Sequence, residues 1–495
     1  MADSDEPISK RLRRRKDATE PETLKSSTTS ATKSPTKSST KSSPSPEEAL
    51  TQENVSDSLL CLTDNCLQKL FERLDIESLC QMANVCKRFR PISERAFSER
   101  HKKFVFEGRS CKNSVFRRVL CKFGHLITSI DASEAHFAPG EKLDVNAIAK
   151  YCTNNLEKLI VSDTTIDCGV VKPLFSRLKH LDLTMCDFTG NKIDLFKNCP
   201  NLEVFGFQAN FGDSEPLDYH RSIGFVVQKY PKLESLAFDS SFIAVDACFR
   251  LLALNPQIKT LEITAPPEDI YIQRVVQYAK NVEVLAIQPG FWSNTAEIQT
   301  RKEFLQLGQL KKLKKLYLSA SDEPYSKLAA PLSDAFAKNN VPIECLSLRE
   351  FTIGSKEIKS ILKLKAMKFL SLDEVGNVTD ADLVPLNKEL PLLENLQLYF
   401  GTKAKTPITA DGLTKMVKDG KHLEYLGLVD IKNLKIDKKA FDDLLKAAQS
   451  RGNEKTLTIE IIGNKKTTSF NVPEDVQRDG GKHLKIEYKA REVEY

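Results

Sequence analysis

One short phrase returns along most of this chain: an apolar residue, followed by two more at three and five positions further on. Copies begin at Leu156 (LEKLIV), Leu178 (LKHLDL), Leu202 (LEVFGF), Leu233 (LESLAF), Ile258 (IKTLEI), Val282 (VEVLAI), Leu313 (LKKLYL), Ile343 (IECLSL), Met367 (MKFLSL), Leu393 (LENLQL) and Leu423 (LEYLGL). Successive starts lie 22 to 31 residues apart. Each phrase ends in strand-like alternation, and most are followed by a helical pattern such as "VDACFRLLALNP". A proline precedes the phrase in "NCPNL", "KYPKL", "LNPQI", "NVPIE" and "ELPLL", where it stops a helix without removing a central ladder bond. One strand and one helix cannot bury their own apolar face, whereas stacked copies build a continuous core.

The expected fold is therefore α/β: a leucine-rich-repeat solenoid with a curved parallel sheet inside and helices outside. A weaker copy, "ITSIDA" at 127–132, opens it, while "TLTIEI" at 456–461 and "HLKIEY" at 483–488 close it as a C-terminal cap. The apolar positions of each phrase are core. The third, fifth and seventh places point off the concave face, where a ligand would be bound. Early copies offer small or polar groups there, such as Gly206, Ser235 and Ala237. Later ones offer Tyr317, Arg349, Phe369, Tyr399 and Tyr425, residue types enriched in protein interface hot spots. A longer loop after one strand, "QPGFWSNTAEIQTRKE", adds the single tryptophan, Trp292. These residues suit a protein substrate. A nucleic-acid site would need clustered Lys and Arg on that face, so no direct nucleic-acid contact is expected. The second place of every phrase is charged, with mixed signs, and is expected to form a solvated ladder.

With 41% hydrophobic and 28% charged residues and a formal net charge of +6, the chain has material for a large core and no strongly basic folded surface. No apolar run approaches the roughly 20 residues of a membrane-spanning helix. Neither a GxxxxGK[ST] phosphate loop nor GxGxxG, GxSxG or HExxH occurs, so no catalytic residues are assigned and an enzyme is not expected. Twelve cysteines include no CxxC pair and the seven histidines lack ligand spacing. Neither a metal nor a cofactor is expected.

Residues 26–45 hold fourteen Ser or Thr and almost nothing that can be buried, so residues 1–56 are expected to form a disordered tail. Within it "KRLRRRK" (Lys10, Arg11, Arg13, Arg14, Arg15, Lys16) is a basic cluster of the kind an importin groove reads. Residence in the nucleus, the cytoplasm or both follows as the expectation.

Between tail and repeats, Leu67, Leu70, Phe71 and Leu74 recur at i, i+3, i+4, i+7, with Thr63 or Asp64 placed to cap the helix. Asp75 can cap a second helix carrying Leu79, Met82, Ala83 and Cys86, and Pro91 opens a third. Three helices in about 40 residues bury too little to be stable alone, so something must cover their spare leucines. The segment resembles the F-box, residue by residue: Leu62 and Asp64 in the opening, then Leu67, Leu70, Phe71, Leu74, Leu79, Val85, Cys86, Lys87, Arg88 and Phe89. Thr63 stands where the family usually has proline, and Phe89 where it often has tryptophan. Its place before the repeats resembles the F-box/leucine-rich-repeat family. That resemblance implies docking on the Skp adaptor of an SCF (Skp, cullin, F-box) ubiquitin ligase through Leu62, Asp64, Leu67, Leu70, Phe71, Leu74, Leu79, Val85 and Phe89. It also implies that the repeats hold a protein substrate for ubiquitination and proteasomal degradation. The expected plan is a tail at 1–56, the F-box at 57–104 and the solenoid at 105–495. Two alternatives stay open: a non-degradative nuclear repeat scaffold, with the helices capping the first repeat, or an inhibitor protein.

Overall fold

The computed structural model describes residues 59–106, 112–133, 135, 141–208, 223–239, 245–265, 272–289, 303–319, 327–376, 378–401, 408–431, 434, 436–452, 455–463 and 481–490. The chain divides into two compact units. One runs to Leu181 and takes in Cys186–Asn198; the other comprises Asp182–Met185 and everything from Cys199 on.

The first unit begins with helices α1 (Asp64–Phe71), α2 (Ile76–Val85) and α3 (Phe89–His101). Thr63 caps α1 by accepting from the Cys66 amide. Asp75 caps α2, accepting the Ser78 amide at 2.8 Å and its hydroxyl at 2.9 Å, and these bonds hold its carboxyl below the usual range. Pro91 lies in the first turn of α3, where a missing N–H leaves no helical bond unmade. Leu67, Phe71, Leu79, Phe89, Ile92 and Phe97 fill the space between the three helices.

Helix α4 (Asn113–Phe123) follows, and its Phe123 ring stacks on Phe97 with centroids 4.4 Å apart and planes 18° apart. The helices before residue 104 thus share a core with the chain after it. Strands Lys103–Val105, Ser129–Ala132 and Lys158–Ser162 pair in parallel, placing Phe104, Ile130 and Leu159 side by side. A separate parallel pair, Thr165–Asp167 with Asp187–Thr189, lies outside that sheet.

In the second unit strand follows strand in chain order, from Val204–Gln208 to Leu484–Ala490, each parallel to the next. The sequence phrase is the register of this sheet. Its fourth place forms an unbroken row from Phe205 through Leu236, Leu261, Leu285, Leu316, Leu346, Leu370, Leu396, Leu426 and Ile459 to Ile486. Every member of that row is buried. The closing copies form strands Leu457–Gly463 and Leu484–Ala490 at the end of the row. Within each unit successive strands are parallel neighbours in chain order, the repeating α/β arrangement the phrase predicts.

The charged second places pair between consecutive copies. Lys179 reaches Glu157 at 2.9 Å in the first unit. In the second, Lys259 reaches Glu234 and Lys314 reaches Glu283 at 2.8 Å, and Lys368 reaches Glu344 at 2.7 Å. At the end of the strand five copies place a non-glycine residue in the left-handed region: Asp163 (φ 45°), Met185 (φ 53°), Glu350 (φ 62°), Glu374 (φ 54°) and Asp430 (φ 56°). No described helix is long and apolar enough to cross a membrane.

Candidate binding surfaces

The three-helix segment separates the expected docking residues into two groups. Leu67, Phe71, Leu79 and Phe89 are buried inside it, so they hold the helices together and present no surface to a partner. Phe71 and Phe89 meet each other edge to face. Leu62 and Leu74 are half-buried, Asp64 is exposed, and Leu70 and Val85 are exposed at 44% and 58%. Two further leucines, Leu59 and Leu60, are exposed at 36% and 49%. These four are among nine large apolar side chains exposed over all the described residues.

Both ends of α1 are held by arginines from the last third of the segment. Arg88 donates through Nε to Asp64 Oδ1 at 2.9 Å, through Nη1 to the Leu60 carbonyl at 2.6 Å and through Nη2 to the Leu62 carbonyl at 2.5 Å. Arg100 Nη1 donates to the carbonyls of Glu72 and Leu74, the latter at 3.3 Å. Carbonyls at helix ends and in the preceding turn lack intrahelical donors, and here the guanidinium forks supply them.

In the second unit Tyr317, Arg349, Phe369, Tyr399 and Tyr425 all lie half-buried on the face carrying the third, fifth and seventh places. They share that face but fall in three rows. Phe369 and Tyr425 occupy the third-place row with Asn395 between them. Tyr317 is in the fifth-place row, and Arg349 and Tyr399 are in the seventh. Tyr317 accepts a weak bond from the Cys345 thiol, Sγ to Oη 3.4 Å. Burial first, and then Cys345, raises its phenol above the usual range. Arg349 lies 3.7 Å from Glu350. Tyr399 donates to Gln397 Oε1 at 3.3 Å.

Tyr425 donates its hydroxyl hydrogen to the carboxylate of Glu460 on the next strand, and Lys489 from the strand after that pairs with the same carboxylate. The Tyr425 ring reaches across Gly427, where a Cβ would sit 3.0 Å from ring carbon Cε1. In the sequence Glu460 falls in the closing copy "TLTIEI". Its signal is positional: it occupies a fifth place, and the parallel register puts it beside Gly427. Among the early copies, a Cβ on Gly206 would lie 2.6 Å from the Asp182 carboxylate, so the small residue makes room for the acid. Trp292 and the cluster Lys10, Arg11, Arg13, Arg14, Arg15 and Lys16 lie outside the described residues. No group of His, Cys, Asp and Glu suited to a metal ion occurs among the described residues.

Residues 59–96 match the F-box domain. No curated protein matches the sequence. Among solved structures the chain is similar to one in "Crystal structure of Rad7 and Elc1 complex in yeast", at 13% identity over 74% of this chain and 96% of that one, with a TM-score of 0.41.

Proposed function

We propose that this chain is a substrate-recognition subunit of an SCF-type ubiquitin ligase. The observation that carries the reading is the F-box domain at 59–96 with Leu59, Leu60, Leu70 and Val85 left exposed on it. A Skp adaptor groove would bury those side chains, with Asp64, Leu62 and Leu74 at the margin of the contact. The solenoid, a leucine-rich-repeat array in this reading, binds a protein substrate through Tyr317, Arg349, Phe369, Tyr399 and Tyr425. Its role in ubiquitination is positioning: two binding surfaces on one chain raise the concentration of substrate near the catalytic subunits without a reacting residue of its own. The protein works in the nucleus, the cytoplasm or both, and Lys10–Lys16 supports the nuclear share.

The test is co-purification of the full chain with a Skp adaptor and cullin. The native chain should capture both, Leu70→Arg should capture neither, and both proteins should melt alike. Equal capture by Leu70→Arg overturns the reading. With the proteasome blocked, ubiquitinated partners should accumulate on the native chain and fall away in Tyr317→Ala and Phe369→Ala. Replacing the six basic residues of the N-terminal cluster should remove the nuclear fraction seen by microscopy.

A further inference from the structure

Residues 59–62 carry three of the apolar side chains that the proposed adaptor contact uses, yet little packing fixes them: Leu59 and Leu60 are exposed and Leu62 is half-buried. Within the turn itself one bond is present, from the Leu62 amide to the Leu59 carbonyl at 3.3 Å. Among the described residues the remaining hydrogen bonds to the carbonyls of this turn come from Arg88. Its Nη1 holds the Leu60 carbonyl, its Nη2 the Leu62 carbonyl, and Nε and Nη2 both lie 2.9 Å from Asp64 Oδ1. Arg88 is the N-cap of α3, but its side chain makes no capping bond there. All three nitrogens of the guanidinium are directed at a segment 24 to 28 residues earlier in the chain.

We infer that Arg88 is a positioning residue for adaptor binding: it pre-orders Leu59, Leu60 and Leu62 in the geometry the adaptor meets. The inference rests on the proposed function above. Arg88 and Asp64 are 37% and 55% exposed in their side chains, and ion pairs so placed contribute little to stability. Ordering is a different matter. A loop that must be immobilised on binding weakens the complex, and one already held does not. The planar fork matters more than the charge, because two carbonyls and a carboxylate are held at once, which a lysine ammonium on its flexible stem does not reproduce.

The experiment measures affinity of the full chain for a purified Skp adaptor by titration calorimetry, alongside melting temperature and amide exchange at residues 60–62. Arg88→Lys should bind roughly tenfold or more weakly, with unchanged melting and faster exchange at those amides. Asp64→Asn, which leaves both carbonyl bonds available, should weaken binding by less. In a Leu59→Ala, Leu60→Ala background, Arg88→Lys should have much less effect, because the side chains it positions are gone. Native affinity in Arg88→Lys overturns the inference, as does an equal loss in that background, which would place Arg88 against the adaptor itself. If Arg88→Lys does not fold, Asp64→Asn decides, and native affinity and native exchange there overturn the inference. Absence of binding by the native chain overturns instead the functional reading on which the inference rests.

Discussion

Phe71 and Phe89 meet edge to face, ring centroids 5.3 Å apart and planes 83° apart, at the centre of the three-helix segment. Truncating either ring to Ala should cost about 3–5 kcal/mol, the usual loss for a buried aromatic. Leu70→Ala removes a side chain that is 44% exposed and should change stability by no more than about 0.5 kcal/mol. Both kinds of variant should lose adaptor capture, the first by unfolding the segment and the second by emptying a contact. Urea unfolding followed by the region's own amide exchange, set beside a capture assay, separates them. Equal destabilisation by Leu70→Ala and Phe71→Ala would contradict the burial pattern.

The charged ladder of the second unit responds to pH in two windows. Hydrogen bonding to Lys314 holds the Glu283 carboxyl below its ordinary 4.5, and the same bond raises Lys314 above its ordinary 10.5. The depressed carboxyl contributes stability that is present above pH 4.5 and lost as pH falls through the lower folded value. The raised ammonium contributes stability present below pH 10.5 and lost as pH climbs through the higher folded value. Glu283→Gln should therefore flatten the acid limb of a plot of melting temperature against pH. The groups are exposed, so ~1 M salt should shrink the difference. A difference that persists undiminished in salt would mean that Glu283 acts through packing.

Tyr425 should show its bond to Glu460 at the alkaline end. Burial, then that bond, raises the phenol above its ordinary 10.0, so its contribution is complete below pH 10.0 and lost as pH rises through the folded value. Tyr425→Phe removes the donor but leaves Lys489 on the carboxylate, and should destabilise by about 1–2 kcal/mol at neutral pH. The gap between native and variant should narrow above about pH 10 in chemical denaturation. A gap that stays constant to pH 11 would show that the hydroxyl makes no contribution through this bond.

The solenoid was legible because stacking imposes one spacing on every copy. Leu261 must lie beside Leu285 and Leu316 beside Leu346, so a register in space is a period in the chain. The proposed docking surface was only half legible. Leu67, Leu70, Phe71 and Leu74 form one apolar stripe on a helical projection, but the projection does not say which edge of a stripe faces inward; here Leu67 and Phe71 are inside and Leu70 is outside. Arg88 was visible only as one of the matched positions, and its clamp was not, because two of its three acceptors are backbone carbonyls, which every residue has. Nor did the turns off the strands. Glu350 and Glu374 adopt positive φ where a glycine would have announced the turn. A parallel partner holds such positions, as when the Asp430 amide donates to the Ile462 carbonyl at 2.7 Å.

Cysteine chemistry offers a final check on the core of the first unit and its neighbour. Burial pushes the thiols of Cys152 and Cys199 up to about 12, against an ordinary 9.0. At pH ~8 the thiolate, which is the reacting species, is then on the order of one part in ten thousand, against roughly one in ten for an unperturbed thiol. Cys61, Cys66 and Cys121 are exposed. Brief iodoacetamide treatment of the native chain, read by peptide mass mapping, should label those three and leave Cys152 and Cys199 unmodified. In denaturant all five should react, and the denaturant concentration at which Cys199 appears should match the global unfolding midpoint if its unit opens only as a whole. Labelling of Cys199 well below that midpoint would show that the copy starting at Leu202 opens locally, independently of the row of strands stacked after it.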